Sequence, residues 1–484
     1  MARLQEPTTE MNINAPKAGW AEQDPETWWQ HICTATQRII KETGIESSSI
    51  QSVGISYQMH GLVLVEGDFK VAESSENSQA TGEVTRPSII WCDSRAVELG
   101  AASFQRIGAI NCLSHCLNSP GNFTATKLKW VAENEPAIYA RSNFAMLPGD
   151  FIALRLSGTV NTTIGGLSEG VLWDFKQNDI AHLVIDDLGL DADKIPPLVP
   201  NVGIQSIVNE AGATATGLPI GIPIAYRAGD QPNNALSLNV LEPGEVAATA
   251  GTSGVVYGVT DQLVADAKQR VNSFAHVNHT AQQPRIGVLL CINGAGILHR
   301  WLRQHLLGEE LSYGEMEAAA RQSPIGAKAL SFLPFGNGAE RMLSNKIIGA
   351  HLLGLNLNLH GRTHIIRAGI EGVAFAFVYG MRTMQDELGM DLSTIRVGND
   401  NLFQSQIFGQ TISTLTGADI EVCNTTGAVG AALAGAAGAA LLPDLRSATA
   451  KLEVVGHFVP QEEVKERMEN AYQTWLSYLH KMIG

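Results

Sequence analysis

The sequence predicts an α/β protein of more than one domain. Three observations point there. Short apolar, β-branched runs alternate with stretches of helical period. Several of those runs end in a Gly, Thr or Ser turn before the next element. The length, 484 residues, suggests two to four domains at roughly 100–200 residues each.

The elements follow in order. A helix is expected over Glu26–Thr43, with Asp24 as N-cap and Pro25 at its first position. Ile50–Ser56, Leu62–Val65 and Ser88–Trp91 read as strands, Thr126–Ala132 and Asp150–Leu156 as helical. The polar stretch 66–83 reads as an exposed loop, and Pro196–Pro223 as loops around short strands. Val246–Thr249 and Val255–Val259 flank Gly251-Thr252-Ser253-Gly254, a strand–turn–strand. Arg285–Asn293 is a strand leading into a helix. Arg362–Glu387 is a long helix with Ile366, Ile370, Val373, Phe377 and Met381 on one face. Asp391–Val397 is a strand and Phe403–Thr416 a helix.

Composition narrows the function. The balance of 33 Lys+Arg against 48 Asp+Glu gives −15, which argues against a nucleic-acid-coating surface. Residues 1–19 lack the apolar core of a signal peptide. The run Gly427–Leu442 is shorter than the ~20 residues that span a bilayer. It reads instead as a small-residue helix for close packing, so no membrane partner is expected. The six cysteines include no C-x-x-C pair, and Cys112, His115 and Cys116 supply too few ligands for a closed zinc site. No metal ligands are assigned. Buried free thiols and a cytoplasmic setting are the expectation.

Three constellations carry chemistry. Asp230, in Ala228-Gly229-Asp230-Gln231, precedes the Gly251–Gly254 turn by about twenty residues. That turn offers backbone N–H groups and two hydroxyls to phosphate oxygens. An Asp nearby can accept a hydroxyl proton as phosphorus is attacked. A plain hairpin turn and a turn Asp are the alternative reading. Gln58-Met59-His60-Gly61 and Trp91-Cys92-Asp93-Ser94-Arg95 follow strands, where α/β proteins hold ligands. Here too a core His60, and an Arg95 paired with a carboxylate, remain open.

These motifs, taken in order, resemble the FGGY carbohydrate kinase family, and its xylulokinase branch in particular. Gly19–Trp29 (GWAEQDPETWW), QMHG at Gln58–Gly61, WCDSR at Trp91–Arg95 and NFTATKLKW at Asn122–Trp130 are similar to family segments. So are LPGDFIALRLSG at Leu147–Gly158, AGDQPNNAL at Ala228–Leu236 and AGTSGVV at Ala250–Val256. The resemblance implies two actin-like ATPase (ribonuclease H-like) domains with a cleft between them. Residues 1–238 would carry the sugar site and the catalytic Asp, and 239–484 the nucleotide site. It implies ATP and Mg²⁺, with Asp230 as the base on the primary hydroxyl of a ketopentose, D-xylulose first. Met59, His60, Asp93 and Arg95 would bind the sugar. Gly251, Thr252, Ser253, Gly294, Gly398, Asn399 and Asn401 would bind the nucleotide. A small-molecule sugar is the expected partner, and family habit points to a homodimer.

Three departures stand out. Residues 1–18 contain nothing like the family's first phosphate hairpin, D-x-G-T/S-x-S-x-K. Truncation or degeneracy would explain it, and the first sheet should then show an unpaired edge or an apolar gap. The adenosine motif reads Gly398-Asn399-Asp400-Asn401, and Thr163–Glu169 (TIGGLSE) replaces a T-D-x-S-D-A-S stretch. A non-catalytic sugar- or nucleotide-binding homologue is therefore the second reading. A Rossmann oxidoreductase ranks last, because no G-x-G-x-x-G opens a helix after a strand.

Overall fold

The computed structural model describes residues 2–67, 82–306 and 311–484. The chain forms two compact units, each assembled from separate stretches. The first comprises Met1–Asn239, Phe274–Arg285 and Thr426–Lys451.

Its principal elements are α1 (Pro25–Thr43), β1 (Val53–Tyr57), β2 (Val63–Glu66), α2 (Thr124–Asn134), β3 (Phe144–Met146), α3 (Pro148–Ser157), α4 (Ile164–Glu169), β4 (Val202–Ile207), α5 (Glu210–Thr216), β5 (Pro223–Gly229) and α6 (Asp230–Ser237). α1 starts as its sequence dictates: Asp24 accepts the Glu26 amide and Pro25 takes the first position. Trp28 and Trp29 turn inward onto Ile55, Tyr57 and Phe151. The central sheet runs β4-β5-β1, with β5 parallel to β1 and antiparallel to β4. Among the described residues β1 pairs with β5 alone. β1 is thus an edge strand among the described residues.

The small-residue helix Gly427–Gly438 lies against this sheet, as its composition suggests. A Cβ on Gly54 would fall 1.9 Å from the Ala431 carbonyl oxygen. Only glycine allows backbone to meet backbone at this distance.

Two expectations shift. Pro196–Pro223 contains a helix, α5, beside its strands. Asn209 caps that helix by accepting the Gly212 amide, and left-handed Gly217 ends it. Ile50–Ser52 lie outside β1 because a 3₁₀ turn at Ser47–Ser49 precedes it. Most of the polar stretch 66–83 lies outside the described residues, and its ends Glu66 and Glu83 pair antiparallel.

The second unit comprises Val240–Ser273, Ile286–Thr425 and Leu452–Gly484. The sheet that anchors it has seven strands. They are β6 (Glu245–Ala250), β7 (Gly254–Thr260), β8 (Asn272–Ala275), β9 (Ile286–Ile292), β10 (Thr394–Gly398), β11 (Asp419–Cys423) and β12 (Val454–Phe458), in the order β8-β9-β7-β6-β10-β11-β12. β6 and β7 form the hairpin around the Gly-Thr-Ser-Gly turn, and β10 joins β6 in parallel. Against the sheet pack α7 (Arg362–Leu388) and α8 (Gln406–Thr416). Ile366, Ile370, Val373, Phe377 and Met381 are all buried, as their spacing requires. Each such side chain contributes about 1.5–3 kcal/mol of burial.

All six cysteines are free thiols. Cys112, Cys116 and Cys423 are buried, but Cys92 is exposed, so the expectation of buried thiols holds only in part. Among the described residues no group of three or more His, Cys, Asp or Glu side chains could hold a metal. None of the helices there is long and apolar enough to cross a membrane.

Candidate active site

The first unit brings a carboxylate, a loop and a cavity together at the ends of two parallel strands. Gly229 of β5 is registered on Tyr57 of β1, so Asp230 and the Gln58–Gly61 loop emerge side by side. Asp230 opens α6 and is half-buried. Burial pushes its carboxyl up to about 6, against the pull of the Gln231, Asp230 and Met59 amides. A carboxylate titrating there can take a proton near neutral pH.

Met59 is 4% exposed and lines a small cavity with Gly229, Glu169, Arg227 and Phe274. His60 adopts a left-handed backbone, φ 63°. Its Nδ1 lies 2.8 Å from the Glu169 carbonyl oxygen, and its ring sits 4.8 Å from Phe123 and 5.3 Å from Phe274. A non-glycine residue in this region is costly, and those contacts hold it there.

Lys127 fixes the loop from beneath. Its fully buried ammonium donates to the carbonyls of His60 at 2.8 Å and Ile90 at 3.0 Å. Burial lowers its pKa to about 7, with Asp93 acting in the opposite direction. Lys127 was not singled out from the sequence, although it sits inside NFTATKLKW. Glu169, buried beside Asp230, was also missed. It falls in the Thr163–Glu169 stretch that departs from the family pattern.

Asp93 and Arg95 are placed differently from Met59. Asp93 is fully buried, accepts the Ala21 amide at 2.6 Å and pairs with Arg95 at 2.7 Å. Arg95 also reaches Glu22 at 2.8 Å, and its guanidinium lies 3.9 Å from the Trp20 ring and 4.7 Å from Trp130. Neither residue lines the Met59 cavity. The paired-arginine reading describes their geometry.

In the second unit Gly251 and Thr252 of the turn border a cavity of about 480 Å³. Gly251, Thr252 and Asn401 line it, together with His299, Arg300, Tyr313 and Glu317. The Gly296 amide donates to the Gly251 carbonyl at 2.9 Å, and the Ile297 amide to that of Thr252 at 3.1 Å. A Cβ at Gly296 would sit 2.3 Å from the Gly251 oxygen, so glycine is needed for this approach. Asn401 is left-handed at φ 55°, as the Asn-rich replacement of the glycine turn allows. The rings of His299 and Tyr313 lie 4.8 Å apart, tilted by 32°, and burial lowers the His299 pKa to about 4. A neutral imidazole and a phenol give this cavity an aromatic wall.

Ser253, Gly294, Gly398 and Asn399 do not line the cavity. The Gly294 and Asn293 amides donate to Glu340 at 3.1 and 3.0 Å. Asn399 donates its amide to the Cys423 carbonyl at 2.9 Å. Gly294 and Asn399 thus hold strand ends in place. His299, Tyr313 and Glu317 have no local sequence signal beyond following the glycine-bearing strand end.

The model of the N-terminal domain of the FGGY family of carbohydrate kinases matches residues 3–237, and that of the C-terminal domain matches 246–439. The chain belongs to the FGGY family of carbohydrate kinases. It is therefore a phosphotransferase acting on a carbohydrate. A xylulose kinase of Escherichia coli (strain K12) is 27% identical over 432 residues, 89% of this chain and 83% of that protein. A xylulose kinase of Bacillus subtilis (strain 168) is 26% identical, over 78% and 72% of the two chains. Among solved structures, a xylulose kinase from Rhodospirillum rubrum aligns with TM-score 0.84 and 23% identity, over 98% and 93% of the chains. A gluconate kinase from Lactobacillus acidophilus aligns at 0.86 and 18%, over 98% and 92%. Both share the two-domain α/β fold of FGGY kinases with this chain.

Proposed function

We propose that this kinase transfers the γ-phosphoryl group of ATP to the primary hydroxyl of a ketopentose, D-xylulose in the first instance. Asp230 is the general base. It accepts the hydroxyl proton as the oxygen attacks phosphorus in line. The observation that carries this reading is Asp230 itself: a half-buried carboxyl, titrating at about 6, at the end of β5 beside the Met59 cavity. Met59 and His60 contact the sugar, and Asp93 and Arg95 shape the wall behind them. The stretch 1–238, joined by Phe274–Arg285, carries the sugar site, and the nucleotide site lies in the rest of 239–484. There Gly251, Thr252 and Ser253 hold the phosphates. Asn401 lies against the nucleotide, and Gly294, Gly398 and Asn399 fix the surrounding turns. The xylulose kinase relatives support the choice of sugar; the gluconate kinase neighbour keeps a wider panel necessary.

Mg²⁺ fits this chemistry, since in phosphoryl-transfer sites it is held largely by phosphate oxygens and one or two carboxylates. It would neutralise charge on the phosphates. The proposal includes a cytoplasmic homodimer, with the six free thiols supporting the reducing setting and sedimentation velocity testing the dimer. The main test is ATP-dependent phosphorylation of ketoses, gluconate and polyols. Turnover of D-xylulose that Asp230→Ala abolishes is expected. A folded protein with no turnover, indistinguishable from Asp230→Ala, refutes the reading.

A further inference from the structure

Glu169 has no role in the chemistry set out above, yet its surroundings are unusual. It is 1% exposed, at the C-terminal end of α4, where the helix dipole disfavours a negative side chain. The groups around it are largely acidic or already engaged. Tyr57 faces it from β1, Asp150 from α3 and Asp230 from α6. Arg227 on β5 is engaged by Asp150 at 3.1 Å and by Asn161 at 2.7 Å, with its Nη1 left without a hydrogen-bond partner. His60 contacts the Glu169 backbone oxygen, and its own amide favours the charged carboxyl. Burial, then the charges of Asp230 and Asp150, push the Glu169 carboxyl well above its usual range. Its Oε1 has no hydrogen-bond partner, while the Tyr57 hydroxyl, like the His60 amide, favours the charged carboxyl.

The space beside it is shaped for a small polar group. Glu169 lines the Met59 cavity, about 10 Å³, which is at the lower limit for holding one water-sized group. The absent side chain of Gly229 keeps that space open. A Cβ there would lie 2.4 Å from Glu169 Oε2 and 2.5 Å from Met59 Cγ.

We infer that Glu169 is a specificity-determining residue of the sugar site, donating a hydrogen bond from its buried carboxyl to a substrate hydroxyl in the cavity beside Asp230. The inference rests on the reading of Asp230 as the base, because that reading puts the sugar here. Two neighbouring carboxyls then divide the work: Asp230 accepts the reacting proton, and Glu169 keeps its own.

The test compares Glu169→Gln, which keeps a donor without the charge, with Glu169→Leu, which keeps the bulk and removes the donor. D-Xylulose affinity is measured by calorimetry in the Asp230→Asn background. Turnover is measured in the wild-type background across the ketose and polyol panel. Expected is a Kd for Glu169→Gln within about 3-fold of the parent, and about 10-fold or more weaker for Glu169→Leu. In the wild type, KM should rise with pH as Glu169 ionises, and Glu169→Gln should abolish that rise. Equal affinities for the Gln and Leu variants, both folded by circular dichroism, overturn the inference. The ligand-free protein offers a separate readout. Infrared spectroscopy at pH 7 should show a protonated-carboxyl band that Glu169→Gln removes, and its absence from the wild type also overturns the inference. If Asp230→Asn still turns over sugar, the reading of the base fails, while the infrared band still reports on Glu169.

Discussion

Replacing Asp230 by asparagine should stop turnover and stabilise the protein at neutral pH. The carboxyl titrates at about 6 in the folded chain against its ordinary 3.8. The folded state therefore holds the proton more tightly than the unfolded one. Below pH 3.8 the group costs nothing; the cost grows between 3.8 and about 6, and is complete above. At about 1.4 kcal/mol per pH unit, the full cost is on the order of 3 kcal/mol. Asparagine carries no charge, but it accepts the Met59 and Gln231 amides less well, which offsets about 1 kcal/mol. A net gain of about 1–3 kcal/mol is expected at pH 7.5, and little or none at pH 4. Thermal melts across that range should show the variant's Tm advantage shrinking on acidification, at roughly 2–4 °C per kcal/mol. A Tm difference that does not change with pH would refute the reasoning, because it would mean the buried charge is not what limits stability there.

Further outcomes follow from the same geometry. Wild-type kcat/KM should fall tenfold per pH unit below about 6, as Asp230 protonates; a flat profile down to pH 5 counts against it as the base. Lys127→Met leaves the His60 and Ile90 carbonyls without their donor, so destabilisation of about 1–3 kcal/mol and a raised sugar KM are expected from denaturant melts and kinetics. Gly296→Ala drives a Cβ against the Gly251 oxygen, and should raise the KM for ATP by about tenfold while sugar affinity stays unchanged by calorimetry. Arg95→Lys breaks a bidentate pair stacked on two indoles; it should lower Tm more than it changes either KM.

Legibility in the sequence followed the range of the signal. The α7 face was readable because helical spacing is local, and the β6–β7 hairpin because its turn residues adjoin. Asp230 stood out through the neighbours that define its motif. α5 was hidden by the Pro/Gly/Ala composition around it, although Asn209 and Gly217 are proper caps. Glu169 could not be seen: its environment comes from Tyr57, Asp150 and Asp230, which are far apart in the chain. The roles of Asp93 and Arg95 depended on Glu22, Trp20 and Trp130, which no local pattern names. His299 and Tyr313 gather around the Gly251 turn only through folding.

The seam between β1 and the helix Gly427–Gly438 is built from main chain on both sides. Ala431 and Gly435 rest on the Gly54 backbone. When it forms, almost no rotamer freedom is lost, since glycine and alanine have none to lose. Nor can it yield to a larger residue, because no neighbouring side chain is there to move aside. Substitution can only pry the layers apart, so drift over generations has no compensating partner to recruit. The strand that launches Met59 and His60 is thus held at a fixed height, insensitive to side-chain fluctuations.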